Sequence, residues 1–115
     1  GLPVPYYVQG KSLLPQLTGG QESAAHRDFV RTEFYGAINF PDQTHATMYR
    51  ERDWKLISYH GKDLFELYDL ENDPWEHHDL STDPAYRERL HELLRKSFDA
   101  TVYTHPPMPA RVASF

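Results

Sequence analysis

"LFELYDLENDPWEHHDL", residues 64–80, places six carboxylates, two histidines and a tryptophan in seventeen residues. Two readings compete for it: a metal site, or a strand that runs into an ordered turn. Histidines that share a zinc ion on a helix sit three or four apart so that their rings converge. His77 and His78 are adjacent, which points the two side chains in different directions. Asp73-Pro74, by contrast, is a strong turn signal, because an aspartate side chain accepts from amides downstream while proline pre-sets its own φ. The stretch therefore reads as a strand followed by a turn tied down by Asp73, with Leu67, Leu70 and Leu80 pinning it to a core. No residue in it is assigned as a metal ligand.

Working upstream, "GKDLFELYDL" returns as a strand after a turn at Gly61. Before it, "ATMYRE" and "WKLISYH" are rich in β-branched and aromatic residues and flank Arg52-Asp53, which predicts a hairpin with its tip near Arg52. Further back, "DFVRTEFYG" alternates Val30, Thr32 and Phe34 with Arg31, Glu33 and Tyr35 at the two-residue period of a half-buried strand. "INFPDQTH" links these strands through a turn built on Asn39, Pro41 and Asp42. Four strands joined by short connections predict an antiparallel meander. Residues 1–20 hold three prolines and four of the six glycines, and read as linker or peripheral loop.

Working downstream, "STDPAYRERLHELLRKSF" begins a helix. Asp83 is placed to cap the first turn, and Pro84 takes the first helical position, where its missing N–H costs nothing. Tyr86, Leu90, Leu93, Leu94 and Phe98 fall on one stripe, with Arg87, Glu88, Glu92, Arg95 and Lys96 on the wetter faces. The tail "THPPMPARVASF" has three prolines in four residues and must leave as extended chain. The expected fold class is α+β: a small four-stranded antiparallel sheet packed against one C-terminal amphipathic helix, with extended N- and C-terminal segments.

Composition narrows the function classes. A chain of 115 residues with 39% hydrophobic and 14% aromatic content can bury a single core. Seventeen acids against twelve bases give a net charge of -5, which disfavours nucleic acid as a partner. No apolar run approaches the ~20 residues of a membrane span. Without cysteine there is no disulfide framework, thiolate site or cysteine nucleophile.

Catalytic motifs fail in the same way. "HELLR", residues 91–95, lacks the second ligand of the H-E-x-x-H helix, because Arg95 stands where a histidine must be. His91 is therefore an ordinary helix-surface residue, and His26, His45, His60 and His105 are surface or capping residues without clustering. "GKS" at residues 10–12 mimics the end of a phosphate loop, but Pro5 occupies the place of its first glycine and Pro15 interrupts the helix that must follow. None of the six serines sits in a G-x-S-x-G elbow.

Four phrases, "QGKSLLPQLTGG" (residues 9–20), "MYRERDWKLISYHG" (48–61), "ELYDLENDPWEHHDLSTDPAYRERLHELL" (66–94) and the closing "PPMPARVASF", together resemble the C-terminal part of arylsulfatase-type sulfatases, in the alkaline phosphatase superfamily. In that family a phrase like the first leaves the large catalytic α/β domain, and a small antiparallel sheet and one packed helix follow. Asp79 departs from the pattern, which usually has asparagine there, yet leaves the same turn chemistry available.

The resemblance divides the chain into an exit segment from a missing catalytic domain (residues 1–25), a sulfatase C-terminal subdomain (26–102) and an extended tail (103–115). It implies formylglycine made from a C/S-x-P-x-R motif, and calcium, both belonging to the catalytic domain. "SLLPQ" and "STDPA" put proline in the wrong place for that motif, so no catalytic, cofactor-binding or metal residue is assigned in this chain, which alone is expected to be inactive. The expected role is to complete the fold of a sulfuric ester hydrolase and to shape its substrate cleft or an oligomer contact. The alternatives are a related phosphodiester or phosphonate monoester hydrolase, and a free-standing binding or dimerisation module. The expected partners are the catalytic domain in cis and, for the chain alone, a second copy, with Leu2, Val4, Tyr6, Tyr7, Tyr103, Met108 and Phe115 as the apolar surface left bare. The family includes many periplasmic and secreted enzymes, and the chain itself fixes no compartment.

Overall fold

The computed structural model describes residues 3–5, 8–19, 26–36 and 43–104. Four strands, β1 (Val30–Tyr35), β2 (His45–Arg50), β3 (Trp54–Tyr59) and β4 (Leu64–Asp69), form one antiparallel sheet in the order β1-β2-β3-β4. The β2–β3 hairpin closes where the Glu51 amide donates to the Trp54 carbonyl at 2.9 Å. The β3–β4 connection turns through positive φ at Gly61 (75°) and Asp63 (49°). This is the expected meander. The turn expected at Asn39, Pro41 and Asp42 lies outside the described residues, as do the tail from His105 onward and Leu2, Tyr6 and Tyr7.

Strand alternation sorts the sheet into two faces. Tyr49, Leu56 and Leu67 share one face, since Tyr49 pairs with Leu56 and Leu56 with Leu67 in the register. They form the core with Leu90, Leu93 and Ala100, and Leu56, Leu67 and Leu93 have no exposed surface. Phe29 extends this core by stacking on Tyr49 with ring centroids 5.1 Å apart. In β1 the core-side positions are Arg31 and Glu33, opposite Tyr49 and Thr47. Val30, Thr32 and Phe34 lie on the other face, and Val30 is half exposed. The apolar half of this edge strand thus faces away from the helix, and its polar half overhangs it.

The helix opens as expected and then differs. Asp83 accepts from the Ala85 amide at 2.9 Å, and a single 3-10 turn over Pro84–Tyr86 leads into α2 (Arg87–Thr104). Its buried positions are Leu90, Leu93, Ser97 and Ala100. Phe98 is 68% exposed and Leu94 only half-buried, so the expected stripe is corrected at its C-terminal end. Each residue turns the helix by about 100°. Spacings of three, four and three from Leu90 therefore keep one side against the sheet, and Leu94 and Phe98 lie beside it. A second difference is α1 (Leu14–Leu17), one helical turn inside the segment read as loop. Pro15 is in its first turn, the one place where proline does not break a helix. The exposed Ser12 hydroxyl of the "GKS" phrase accepts from the Leu14 amide at 3.2 Å.

Candidate functional site

The opening stretch is organised by three aspartates that hold backbone amides. Asp69 at the end of β4 accepts from the amides of Glu71 (3.1 Å) and Asn72 (3.3 Å). Asp73 accepts from the His78 amide at 2.8 Å, and its own carbonyl accepts from Glu76 at 3.1 Å. The amides of His77 and then His78 hold the Asp73 carboxyl below the ordinary carboxylate range. Glu76 takes a positive φ of 58° and its carboxylate pairs with Lys55 at 2.5 Å, which fixes the turn to β3. Asp79 then brings the chain back along β4: Oδ1 accepts from the Leu67 and Ser81 amides, both at 2.9 Å, and Oδ2 from the Ser81 hydroxyl at 3.0 Å. Beside it the Leu80 amide donates to the Leu67 carbonyl at 2.8 Å. Residues 79–80 thereby pair the Leu67 amide and carbonyl at the outer edge of β4, where an open strand edge would otherwise leave them unpaired.

These carboxylates are committed to amides, and both histidines stand exposed. Among the described residues, no group of three or more His, Asp or Glu side chains could hold a metal ion. The donor set therefore does not fit the calcium of the resemblance.

A second polar cluster fastens the β2–β3 hairpin to α2. Glu51 receives Lys96 at 2.7 Å and Arg89 at 3.1 Å, while Glu92 receives the same two cations at 2.8 and 2.6 Å. Arg89 also lies 4.9 Å above the Trp54 ring, which packs against Tyr86. The hydrogen bonds from Lys96 and Arg89 hold the Glu92 carboxyl down to about 2. Of the wet-face residues expected from sequence, Glu92 and Lys96 are thus half-buried in this cluster, whereas Arg87, Glu88 and Arg95 are exposed.

On the outer sheet face, Glu66 accepts from the hydroxyls of Tyr59 and Tyr68, each at 2.7 Å. The bond to Glu66, helped by burial, pushes the Tyr59 hydroxyl up to about 12. Burial, followed by the same carboxylate, raises Tyr68 as well.

A cleft of about 710 Å³ lies between the C-terminal half of α2 and the β1–β3 side of the sheet. Its floor is polar: Thr47, Ser58 and Ser97 are the buried polar residues, and all three line it. Arg31 and Glu33 pair at 2.5 Å along one wall, and the buried Arg31 Nε has no hydrogen-bond partner. Thr47 Oγ1 and His60 Nε2 share a hydrogen bond of 2.6 Å. Tyr35, Phe65 and Phe98 supply aromatic surface. Sequence reasoning missed this site. The available signal was the appearance of small polar residues at positions 47, 58 and 97, each in phase with an apolar stripe.

Among the described residues, the other histidines stay apart. His45 meets Tyr35 edge-on at 5.7 Å, the His26 carbonyl accepts from Lys11 at 3.3 Å, and His91 is exposed beside a helix on which Arg95 pairs with Asp99. The arrangement is built from bound amides, ion pairs and the Thr47–His60 hydrogen bond. It offers a braced edge, a stapled helix and a polar cleft.

This chain is similar to three known proteins. A Delta 4,5-hexuronate-2-O-sulfatase of Bacteroides thetaiotaomicron is 33% identical over 92 residues, covering 80% of this chain and 19% of that protein. A solved structure from the same organism, described as a sulfatase, superposes with a TM-score of 0.80 at 28% identity, covering 91% of this chain and 22% of that one. A phosphonate monoester hydrolase from Silicibacter pomeroyi shares the fold with a TM-score of 0.72 at 19% identity, covering 90% of this chain and 22% of its own. The chain thus spans about a fifth of the length of each. Residues 1–102 match the family described as N-sulphoglucosamine sulphohydrolase, C-terminal, and this chain belongs to that family.

Proposed function

We propose that the chain is the C-terminal subdomain of a sulfuric ester hydrolase, without catalytic groups of its own, and that it completes the fold and one side of the substrate cleft of a catalytic domain in cis. The observation that carries this reading is the family match over residues 1–102, which is to the C-terminal part of a sulphohydrolase. The formylglycine and the calcium of the reaction belong, in this reading, to the upstream domain. A sulfate ester is preferred to a phosphonate ester because the hexuronate sulfatase is 33% identical, whereas the phosphonate hydrolase shares the fold at 19%. On its own the chain self-associates, since Val4 and Tyr103 stand 73% and 85% exposed, and removing residues 1–9 weakens that association. Sequencing upstream of Gly1 is the first test. A C/S-x-P-x-R motif in the same reading frame supports the proposal, and an upstream region without one refutes it.

A further inference from the structure

α2 is apolar on two sides. One side, Leu90, Leu93, Ser97 and Ala100, is buried on the sheet. The other begins at half-buried Leu94 and continues one and two turns on through Phe98 and Val102, which are 68% and 54% exposed. This second stripe borders the polar cleft, whose Tyr35 rim is itself 60% exposed. An amphipathic helix on a single sheet needs only one such stripe.

The outer face of the sheet is the rival surface. On it Tyr59 and Tyr68 donate to Glu66 and Lys55 pairs with Glu76, Phe34, Met48 and Ile57 are half-buried, and Val30 and Leu64 on its two edge strands are each 50% exposed. Among the described residues the helix stripe is the more exposed, at 68% for Phe98 and 54% for Val102. The path of the chain favours the helix side too. Gln9 donates to the Thr104 carbonyl at the end of α2, and Arg27 to the Gln9 carbonyl at 2.9 Å, so Gln9 is held at the end of the helix that carries Val102.

We infer that the face formed by Leu94, Phe98, Val102 and the adjoining mouth of the cleft is the surface on which the upstream domain of the same polypeptide docks. The occupant is a mixed surface: apolar side chains over Phe98 and Val102, and hydrogen-bonding groups, including an acceptor for Arg31, entering the polar cleft. This inference rests on the reading of the chain as a C-terminal subdomain, and adds which of its faces is covered.

The test compares Phe98→Ser and Val102→Ser in the upstream-extended polypeptide and in this chain alone. In this chain both side chains already meet water, so each variant should unfold at the same urea concentration as the parent. In the extended polypeptide each should loosen the docking. Limited proteolysis in the segment around residues 8–19 should then accelerate about tenfold, with one unfolding transition separating into two. Tyr68→Ser, on the outer face, should not separate the transitions. Equal effects of Phe98→Ser in both polypeptides would overturn the inference, as would separation produced by Tyr68→Ser alone, or an extended polypeptide that dimerises through Phe98. Loss of sulfate ester hydrolysis in the unmodified extended polypeptide would refute the proposed function, while a tenfold proteolytic response would still stand for the docking face.

Discussion

Asp79→Ala removes the acceptor that closes the edge of β4. Oδ1 holds two amides at 2.9 Å, and they differ in what replaces it. Ser81 is half-buried, so water can take over its amide, whereas Leu67 has no exposed surface and its amide stays unpaired. An unsatisfied buried donor costs about 1–3 kcal/mol, and a water-compensated bond about 0.5 kcal/mol. The expected loss is therefore about 2 kcal/mol. For a urea m-value of about 1.5 kcal/mol/M, this moves the midpoint down by roughly 1 M. Asp79→Asn is the control that isolates the cause. Its Oδ1 can accept both amides and its Nδ2 can donate to the Ser81 hydroxyl, so it should lose less than about 0.5 kcal/mol. Equilibrium urea unfolding followed by far-UV circular dichroism reads both. A midpoint shift for Asp79→Ala below about 0.3 M, or equal shifts for the two variants, would refute the assignment of this carboxylate as the partner of a buried amide.

Three further outcomes follow from the same structure. Asp73→Ala should lower the melting temperature by freeing the His77–His78 amides, and chelators should leave the melting temperature of the parent unchanged; a chelator-induced drop would restore the histidines as ligands. Leu93→Ala should cost about 3 kcal/mol in urea unfolding because its side chain is fully buried, whereas Phe98→Ala in this chain should stay within about 0.5 kcal/mol. Glu92 is depressed from 4.5 to about 2 in the folded state, so its contribution is complete above its unfolded value and is lost as pH falls through the window between the two. Since the Glu92 side chain is 39% exposed, solvent screening leaves a contribution of about 0.5 kcal/mol; the stability gap between parent and Glu92→Gln should close on acidification across that window and shrink in high salt.

The sheet was legible because its information is local. Turn chemistry at Gly61 and residues 51–53, together with alternation in each strand, determines a meander once the connections are short. The Asp83 cap and Pro84 marked the helix start for the same reason. Which way each element faces was less legible. β1 alternates correctly, but its apolar half points away from the helix, because an edge strand can overhang the core and place Arg31 and Glu33 above a cleft. In α2, Ser97 and Ala100 are buried while Phe98 is exposed, an outcome that periodicity misses because two neighbouring sides of the helix carry apolar residues and only one of them meets the sheet. The motif phrases carried the family. They could not carry the cleft, whose residues come from positions 31, 47, 58 and 97 and converge only when the sheet and helix meet.

The most direct measurement assays this chain and the upstream-extended polypeptide side by side on an aryl sulfate and a phosphonate monoester. The account predicts turnover of the sulfate by the extended polypeptide, abolished when the Cys or Ser of its C/S-x-P-x-R motif is replaced, and none by this chain. Turnover by this chain that survives repurification and tracks the 115-residue polypeptide would contradict it.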